Sequence, residues 1–328
     1  MFDRHGRELD HLRISVTDRC NMRCSYCMPD GDYAAAPREK LLSFEEIARV
    51  VGTLVNEYGV RHLRLTGGEP LVRKDLYKLV GQLARLPVAD IAMTTNAVLL
   101  KGEARRLRDA GLNRLNISLD TLRQESLDQI SPGTRLADIL AGVDAAQTAG
   151  FTNIKFNAVL MRGINDDEIL PLIRFAADRN GTMRFIELMP IGVMAGRHQQ
   201  FLVPAAQIRE VVQKEFEIRE GQRPVGSPAM PYELTERATG RSLGFGIIAS
   251  ETEPFCMSCR RLRLTADGTF ISCLFREQGA DLRKWVRTEF ASAAAAHAAF
   301  DALVEKSVAL KPTTRLAMVK HAMVVVGG

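Results

Sequence analysis

The chain has 328 residues, of which 46 % are hydrophobic and 25 % are charged, and its formal net charge at pH 7 is +5. This length suits one α/β barrel with an appendage, and this composition excludes a disordered chain. The modest positive charge permits an anionic ligand, but the sequence has no dense basic run of the kind that binds nucleic acid.

Strand-like and helix-like segments alternate over the first two-thirds of the chain. A capping box formed by Ser43 and Glu46 predicts the start of a helix that runs to about residue 57. Gly111 and Gly150 predict the ends of two further helices, because glycine readily adopts the left-handed conformation that closes a helix. The predicted strands are 12–16, 60–65, 91–94, 115–119, 154–160 and 183–188, and the predicted helices are 44–57, 76–86, 101–110, 136–149 and 167–179.

This alternation predicts a parallel sheet built from right-handed βα units. Six such units are typical of either an incomplete barrel or a doubly wound sheet, and the alternation alone leaves both open. In either fold, ligands bind at the carboxyl ends of the strands.

The composition changes at residues 220–231, which are rich in glycine and proline. We therefore predict a boundary near residue 220, between a domain of residues 1–220 and a smaller domain of residues 221–328. In the second domain, Asp267-Gly268 predicts a hairpin turn between strands 262–265 and 270–272. Two helices are predicted after it, at 281–289 and 292–305, the second supported by its alanines.

All six cysteines fall into two groups of three: Cys20, Cys24 and Cys27, and then Cys256, Cys259 and Cys273. A structural zinc site needs four ligands, and no histidine lies near either group in the sequence. A [4Fe–4S] cluster usually takes four thiolates, so three leave one iron open to another ligand. We therefore expect two such clusters; the alternatives are a chance grouping of buried cysteines, or zinc completed by a distant Asp or His.

The first ten residues are polar and charged, and no apolar stretch is long enough to span a bilayer. We therefore expect a cytoplasmic protein that binds no membrane. A reducing compartment also disfavours disulfides between the cysteines.

Several motifs together resemble one known family. Cys20-x3-Cys24-x2-Cys27, with Tyr26 before its last cysteine, is similar to the signature of the radical S-adenosylmethionine (SAM) superfamily, and Gly67-Gly68-Glu69-Pro70 is similar to a second mark of it. The match narrows to the GTP 3',8-cyclases of the MoaA family. It rests on residues 12–20, 64–70, 94–96, 116–120, 185–190, 256–263, 273 and 327–328.

The resemblance implies a fold, cofactors and a set of SAM contacts. The fold is an incomplete parallel (β/α)6-type barrel with a smaller C-terminal domain that carries the second cluster. The first three cysteines hold the [4Fe–4S] cluster whose open iron binds SAM, and the last three hold the cluster that faces the substrate. The implied SAM contacts are Tyr26, Gly68, Ser118 and Met189, with Glu69 nearby.

The resemblance also implies the substrate-binding and catalytic residues. The GTP contacts would be Arg13, Arg64, Thr95, Lys155, Arg261, Leu262 and Arg263. Arginine suits bidentate phosphate contacts, and a cation on a buried strand needs an anionic partner, which a phosphate would supply. Arg261, Arg263 and the diglycine Gly327-Gly328 are expected to support catalysis, with the diglycine entering the active site.

The implied reaction is the conversion of GTP to 3',8-cyclo-7,8-dihydro-GTP, the first step of molybdenum-cofactor biosynthesis. A deoxyadenosyl radical derived from SAM takes the 3' hydrogen of GTP, the ribose radical adds to C8 of guanine, and reduction gives the product. The implied partners are an electron donor and the cyclic pyranopterin monophosphate synthase that uses the product. The sequence leaves a homodimer open.

Two other functions are compatible with parts of the sequence. One is a different two-cluster radical SAM enzyme, such as a peptide-modifying one, although those with extended cluster domains generally need more cysteines. The other is a zinc-binding or electron-carrier protein without enzymatic activity, although a carrier would want four protein ligands for each cluster.

Overall fold

A computed structural model describes residues 1–29, 33–319 and 322–327. Its strands are β1 (His11–Ser15), β2 (His62–Thr66), β3 (Asp90–Thr95), β4 (Arg114–Ser118), β5 (Lys155–Leu160), β6 (Thr182–Glu187), β7 (Phe216–Glu220), β8 (Met230–Glu236), β9 (Ser242–Ile248), β10 (Arg261–Leu264), β11 (Thr269–Ile271) and β12 (Ala280–Asp281). Its α-helices are α1 (Phe44–Tyr58), α2 (Leu76–Leu83), α3 (Leu100–Asp109), α4 (Gln124–Ile130), α5 (Leu136–Thr148), α6 (Ile169–Asp178), α7 (His198–Phe201), α8 (Ala205–Gln213), α9 (Leu282–Arg287), α10 (Ala293–Ala309) and α11 (Met323–Val326).

The strands form one sheet in the order β12-β11-β10-β1-β2-β3-β4-β5-β6-β9-β8-β7. The six predicted strands are its centre, and they are parallel to each other. The C-terminal part of the chain adds one more parallel strand at each side, β10 beside β1 and β9 beside β6. Antiparallel hairpins then end the sheet on both sides, so within the described residues it does not close on itself.

The helices decide between the two folds that the alternation left open. Helix α1 contacts α2, α2 contacts α3, α3 contacts α5, and α6 contacts α8. Helices that follow each other along the chain are thus side by side, whereas a doubly wound sheet divides them between its two faces. The prediction of an incomplete barrel is therefore confirmed.

Local sequence explains how the first helix is fixed. The Ser43 hydroxyl accepts a hydrogen bond from the Glu46 backbone N–H, and the Glu46 carboxylate accepts one from the Ser43 N–H. The predicted capping box is therefore confirmed. The predicted Asp267-Gly268 hairpin is confirmed as well, because β10 and β11 pair as antiparallel strands around it.

The inner face of the barrel is polar, which a packed barrel core would not be. In β1, Leu12 and Ile14 are fully buried in the apolar layer, whereas Arg13 alternates with them. The pattern repeats in β2, where Leu63 and Leu65 are buried and Arg64 alternates with them. Since side chains alternate between the two faces of a strand, the arginines point to the inside of the barrel.

Some elements were not predicted. Helices α4 and α8 and strand β7 lie in segments that had no assigned structure. The domain boundary near residue 220 coincides with the end of β7, but the sheet runs across it through β8 and β9. The division into domains 1–220 and 221–328 therefore stays a prediction. Among the residues that the structure describes, no helix has the length and apolar character needed to cross a membrane.

Candidate active site

The first three cysteines lie in the loop that follows β1. The Cys27 and Met28 backbone N–H groups both donate to the Cys24 carbonyl at 2.9 Å, which folds the loop into a tight turn. Burial raises the pKa of the Cys20 thiol to about 11 and that of the Cys27 thiol to about 12, and each of these thiols also lies near another cysteine or a carboxylate. The three thiols therefore stay protonated on their own, and a bound cation is what would ionise them.

The Gly67-Gly68 segment packs directly on the chain that leads into this cysteine loop. The Gly68 N–H donates to the Thr17 carbonyl at 2.7 Å, and the Glu69 N–H donates to the Arg19 carbonyl at 2.8 Å. A Cβ atom at Gly68 would lie 2.3 Å from the Arg19 carbonyl oxygen. The glycine is therefore required by the contact between two backbone segments, in addition to any approach of a ligand.

We expect Gly68→Ala to destabilise the fold by about 3 kcal/mol or more, because the carbonyl that the new methyl would meet is held by its own hydrogen bond. Iron retention at the first cysteine group should fall with it. Gly102→Ala is the matched control. Gly102 is exposed in α3 with no atom near its would-be Cβ, so alanine should stabilise by about 0.5–1 kcal/mol. Urea unfolding and iron content measure both effects, and equal stability of the two variants would contradict this packing.

Glu69 is buried and already engaged by the protein. Its carboxylate accepts hydrogen bonds from the Leu71 N–H at 3.1 Å, the Thr95 hydroxyl at 2.8 Å and the Asn96 N–H at 2.8 Å. Burial raises the pKa of Glu69 to about 7 despite these donors. Glu69 thus connects the ends of β2 and β3, and Thr95 is held beside it.

A cavity of about 220 Å³ lies at the carboxyl ends of the strands. It contains every predicted SAM contact and brings them together with the first cysteine group. The predicted residues that line it are Arg13, Cys20, Cys24, Tyr26, Cys27, Arg64, Gly68, Glu69, Thr95, Ser118 and Met189.

Asp120 is a residue of this cavity that the sequence analysis did not assign. The Tyr26 hydroxyl donates to one carboxylate oxygen of Asp120 at 2.8 Å, and the Val159 N–H donates to the other at 2.8 Å. Burial raises the pKa of Asp120 to about 6. Asp120 therefore holds the ring of Tyr26 next to the cysteine loop. The position of Asp120 directly after a predicted strand was the sequence feature that could have identified it.

A second cavity, of about 190 Å³, lies toward the amino ends of the strands. Arg13, Arg64, Arg184 and Pro228 line both cavities, which therefore adjoin along the barrel axis. The prediction that ligands bind at the carboxyl ends of the strands thus describes only half of the barrel interior. The second half is lined by the predicted residues Arg13, Arg64, Lys155 and Arg261, together with the unpredicted Arg114 and Arg184.

Strand pairing explains why these cations meet. Arg13 of β1 is in register with Arg64 of β2 on one side and with Arg263 of β10 on the other. The neighbouring row contains Arg261, His11 and His62, also in register. Positions two apart on a strand share a face, so both rows face the interior.

Several of these cations lack a hydrogen-bond or ion-pair partner among the residues that the structure describes. In the ranges 1–29, 33–319 and 322–327, Arg13, Arg64 and Lys155 form no hydrogen bond and no ion pair through their side chains. Burial lowers the pKa of Arg64 to about 10 and that of Lys155 to about 8, and neighbouring cations add to the effect. Buried charge without a partner is costly. The arrangement is therefore suited to a ligand with several negative charges.

Arg184 of β6 was missed by the sequence analysis. It is buried, and it donates to the side-chain carbonyls of Asn157 at 3.0 Å and Asn116 at 2.6 Å, which leave its charge uncompensated. An arginine between the apolar residues Met183 and Phe185 of a predicted strand was the signal that could have identified it.

The second cysteine group lies at the opposite end of the barrel from the first. Cys256 and Cys259 come just before β10, and Cys273 follows β11, so all three lie at the amino end of β1. A five-residue strand spans about 17 Å, which sets the scale of the distance between the two groups. The two groups thus stand at the two ends of one interior.

Two nearby cations, Arg261 and Lys311, lower the pKa of the Cys259 thiol. The Arg261 guanidinium donates to the Cys259 sulfur from Nε and Nη2, both at 3.4 Å. Burial of Cys259 opposes ionisation, but Arg261 and Lys311 outweigh it and lower the pKa of this thiol to about 5. Cys259 is therefore a thiolate at neutral pH, as a metal ligand must be.

Residues 322–327 enter the barrel at the carboxyl ends of β1 and β2. The Gly327 carbonyl accepts a hydrogen bond from Arg263, and Val326 is buried. A Cβ atom at Gly327 would lie 2.9 Å from Thr66, and the φ angle of +71° is one that favours glycine. Gly327 is thus placed inside the barrel, whereas Gly328 lies outside the described residues.

Six predicted residues that the structure describes line neither cavity: Leu262, Arg263, Gly327, Cys256, Cys259 and Cys273. Leu262 is fully buried in the apolar core, so its side chain faces away from the interior. Arg263 faces the interior but is covered by residues 326 and 327, to which it donates. The loops that carry Cys256, Cys259 and Cys273 lie beyond the amino-end cavity and do not line it.

The donor sets fit the clusters that the sequence suggested. Each group offers three sulfur ligands, which are soft donors that suit iron–sulfur clusters. Among the described residues, Asp10, His11 and His62 are the group whose ligand atoms already lie within 4.8 Å of one another, so the sulfurs of neither cysteine group are gathered that closely. A [4Fe–4S] cluster held by three thiolates would keep one iron open to another ligand.

Comparisons with known proteins agree with this geometry. Residues 14–176 match the radical SAM superfamily, and residues 181–315 match the family described as Molybdenum Cofactor Synthesis C. The GTP 3',8-cyclase of Acidothermus cellulolyticus is 48 % identical over 301 residues, which are 89 % of this chain and 81 % of the relative. The GTP 3',8-cyclase of Pelotomaculum thermopropionicum is 41 % identical over 315 residues, which are 95 % of this chain and 94 % of the relative.

Solved structures support the fold. Streptococcus suis SuiB matches 82 % of this chain and 62 % of its own, with a TM-score of 0.59 at 16 % identity. The same protein bound to S-adenosylmethionine matches 82 % of this chain and 60 % of its own, with a TM-score of 0.57 at 17 % identity. At this identity the likeness concerns the fold alone. The identity to the cyclases over most of both chains goes further, and the chain belongs to the GTP 3',8-cyclase family of radical SAM proteins.

Proposed function

We propose that this protein is a GTP 3',8-cyclase that carries out the first step of molybdenum-cofactor biosynthesis. One observation supports this most strongly. Two cysteine groups stand at opposite ends of a single barrel interior, and cations without protein partners line the space between them. SAM and a nucleoside triphosphate would share that interior, with the charged phosphates beside the cations.

The first cysteine group, Cys20, Cys24 and Cys27, would hold a [4Fe–4S] cluster that binds SAM. Bound there in its reduced form, such a cluster supplies the one-electron chemistry that cleaves SAM. The chain itself positions the reactants. Gly68, Ser118 and Met189 line the cavity next to the cysteines, and Asp120 holds Tyr26 in place.

The amino-end cavity would bind GTP. Arg13, Arg64 and Lys155 would meet the triphosphate, because each presents a positive charge that the protein leaves unpaired. Arg261 is close to both the cavity and Cys259, so it would connect the nucleotide to the second cluster. Cys256, Cys259 and Cys273 would hold that cluster, with its open iron toward the purine.

Arg263 and Gly327 would work together. Arg263 lies in the same row as Arg13 and Arg64, and it donates to the Gly327 carbonyl. The six residues 322–327 cover the interior where β1 and β2 end. We propose that this segment excludes water from the reaction and fixes Arg263 for catalysis.

The assignment also implies partners and a location. The reaction needs an electron donor for the first cluster and a cyclic pyranopterin monophosphate synthase that accepts its product. The six cysteines are free thiols, which suits a reducing compartment such as the cytoplasm. Whether the protein forms a homodimer is to be measured separately.

The test is anaerobic reconstitution with iron and sulfide, followed by dithionite, SAM and GTP. Liquid chromatography with mass spectrometry should find 5'-deoxyadenosine and a cyclised product that has the mass of GTP but elutes apart from it, both dependent on GTP. Deoxyadenosine without any change in GTP would mean that the radical chemistry is present and the substrate is wrong. Zinc without sulfide in the purified protein would contradict the enzyme assignment altogether.

A further inference from the structure

Lys311 is a buried lysine next to the second cysteine group. It lies two residues beyond α10, and it is 2 % exposed. Its ammonium group donates to the Arg261 carbonyl at 2.7 Å, to the Ser272 carbonyl at 2.7 Å and to the Cys259 sulfur at 3.6 Å. An ammonium group has three hydrogens, so these acceptors account for all of them.

The charge of Lys311 has no carboxylate to balance it. Among the described residues, no Asp or Glu forms a hydrogen bond or ion pair with it. A buried cation needs an anionic partner. The Cys259 sulfur is the only acceptor of the three that could carry a negative charge, and Arg261 donates to the same sulfur. The lysine is therefore placed to face the ligand sulfur of a bound cluster.

The three acceptors join the two loops that carry the cysteines. The Arg261 carbonyl is two residues beyond Cys259, and the Ser272 carbonyl immediately precedes Cys273. One ammonium group therefore connects the start of β10 with the end of β11.

Arg7 fixes the remaining cysteine to the same segment. Its Nη1 donates to the Cys256 carbonyl at 2.7 Å and to the Pro312 carbonyl at 2.8 Å. Arg7 is itself held by an ion pair with Asp3 at 2.6 Å. Residues 311 and 312 are thus the point at which the loops of all three cysteines meet.

We propose that Lys311 is a positioning residue for the second iron–sulfur cluster. It holds the Cys259 and Cys273 loops in place, and its charge stabilises the reduced cluster relative to the oxidised one. Reduction adds one electron to the cluster, and a fixed positive charge close to a ligand sulfur favours the more negative state. The inference rests on the proposed function, because it requires a cluster at Cys256, Cys259 and Cys273.

The test compares Lys311→Met with Lys311→Arg in the full-length chain. Both are made in a background in which Cys20, Cys24 and Cys27 are alanine, so that every iron signal comes from the second group. Iron and sulfide content report on positioning. A dye-mediated redox titration with dithionite, followed by electron paramagnetic resonance, reports on the charge. Lys306→Met, at an exposed position of α10, is the control.

We expect Lys311→Met to shift the equilibrium between reduced and oxidised cluster about tenfold toward the oxidised form, which is about 59 mV for one electron. It should also lower iron retention. Lys311→Arg keeps the charge and should recover most of the potential, and Lys306→Met should match the parent.

Three results would overturn the inference. A parent that holds the cluster, with Lys311→Met at the same potential and iron content, removes the role of Lys311 alone. A potential in Lys311→Arg as low as that in Lys311→Met means that the charge of residue 311 does not stabilise the reduced cluster. A parent that binds no iron at the second group contradicts the proposed function, and the inference with it.

Discussion

Removal of residues 327 and 328 is expected to abolish turnover while both clusters are retained. Gly327 lies between the ends of β1 and β2, and its carbonyl accepts from Arg263. Without it, Arg263 loses this acceptor and the interior opens to water. Among the described residues, the hydrogen bond that Gly327 accepts comes from Arg263 and not from a cysteine loop, so iron should stay bound. The measurements are GTP-dependent deoxyadenosine formation and iron per chain.

A point substitution refines the same prediction. Gly327→Ala should cost most of the activity, because the added methyl would lie 2.9 Å from Thr66 and the φ angle of +71° disfavours alanine. Gly196→Ala is the matched control, since Gly196 has a φ of +83° but no atom near its would-be Cβ. Normal turnover of the truncated chain would show that this segment has no part in catalysis.

Arg64→Met is expected to weaken GTP binding and to stabilise the ligand-free protein. A charge-assisted hydrogen bond contributes about 1.5–3 kcal/mol, so its loss should raise the dissociation constant by about ten- to a hundredfold. Burial and the nearby Arg114 lower the pKa of Arg64 to about 10, so the surroundings that the protein itself provides disfavour this charge. Methionine removes that cost, so the thermal midpoint should rise.

The control for this variant is Arg85→Met. Arg85 is exposed and outside both cavities, so neither GTP affinity nor thermal midpoint should change much. Anaerobic equilibrium dialysis gives the affinity, and calorimetry of the ligand-free protein gives the midpoint. Unchanged GTP affinity in Arg64→Met would place the triphosphate elsewhere.

The centre of the fold was predictable because its signals are local. The capping box at Ser43 and the hairpin at Asp267-Gly268 each depend on residues within a few positions of each other. The alternation of strands and helices follows from the same short-range patterns. Those patterns gave no choice between an incomplete barrel and an open sheet, which the contacts between consecutive helices decide.

What could not be predicted depends on pairing over long distances in the chain. Strand β10 lies beside β1 with His11 opposite Arg261, although 250 residues separate them. That pairing places the second cysteine group at the amino end of the barrel and aligns Arg263 with Arg13. Without it, the sequence predicted ligands only at the carboxyl ends. The role of Lys311 could not be predicted from the sequence, because it depends on the carbonyl groups and the sulfur that surround its ammonium group in the fold.

Most of the predicted site residues are divided between the two cavities. The predicted SAM contacts share one cavity, and Arg13, Arg64, Lys155 and Arg261 share the next. Thr95 lies in the first cavity, next to Glu69, and apart from Lys155 and Arg261. Their roles in binding stay predictions, which the substitutions above address.

The most direct test of the central claim is hydrogen transfer inside the barrel. The reconstituted protein is incubated anaerobically with dithionite, SAM and GTP that carries deuterium at C3', and the 5'-deoxyadenosine is analysed by mass spectrometry. The arrangement of the two cavities predicts that deuterium appears in the deoxyadenosine together with the cyclised product. Deoxyadenosine without deuterium, formed at the same rate with and without GTP, would contradict the claim that SAM and GTP react within this interior.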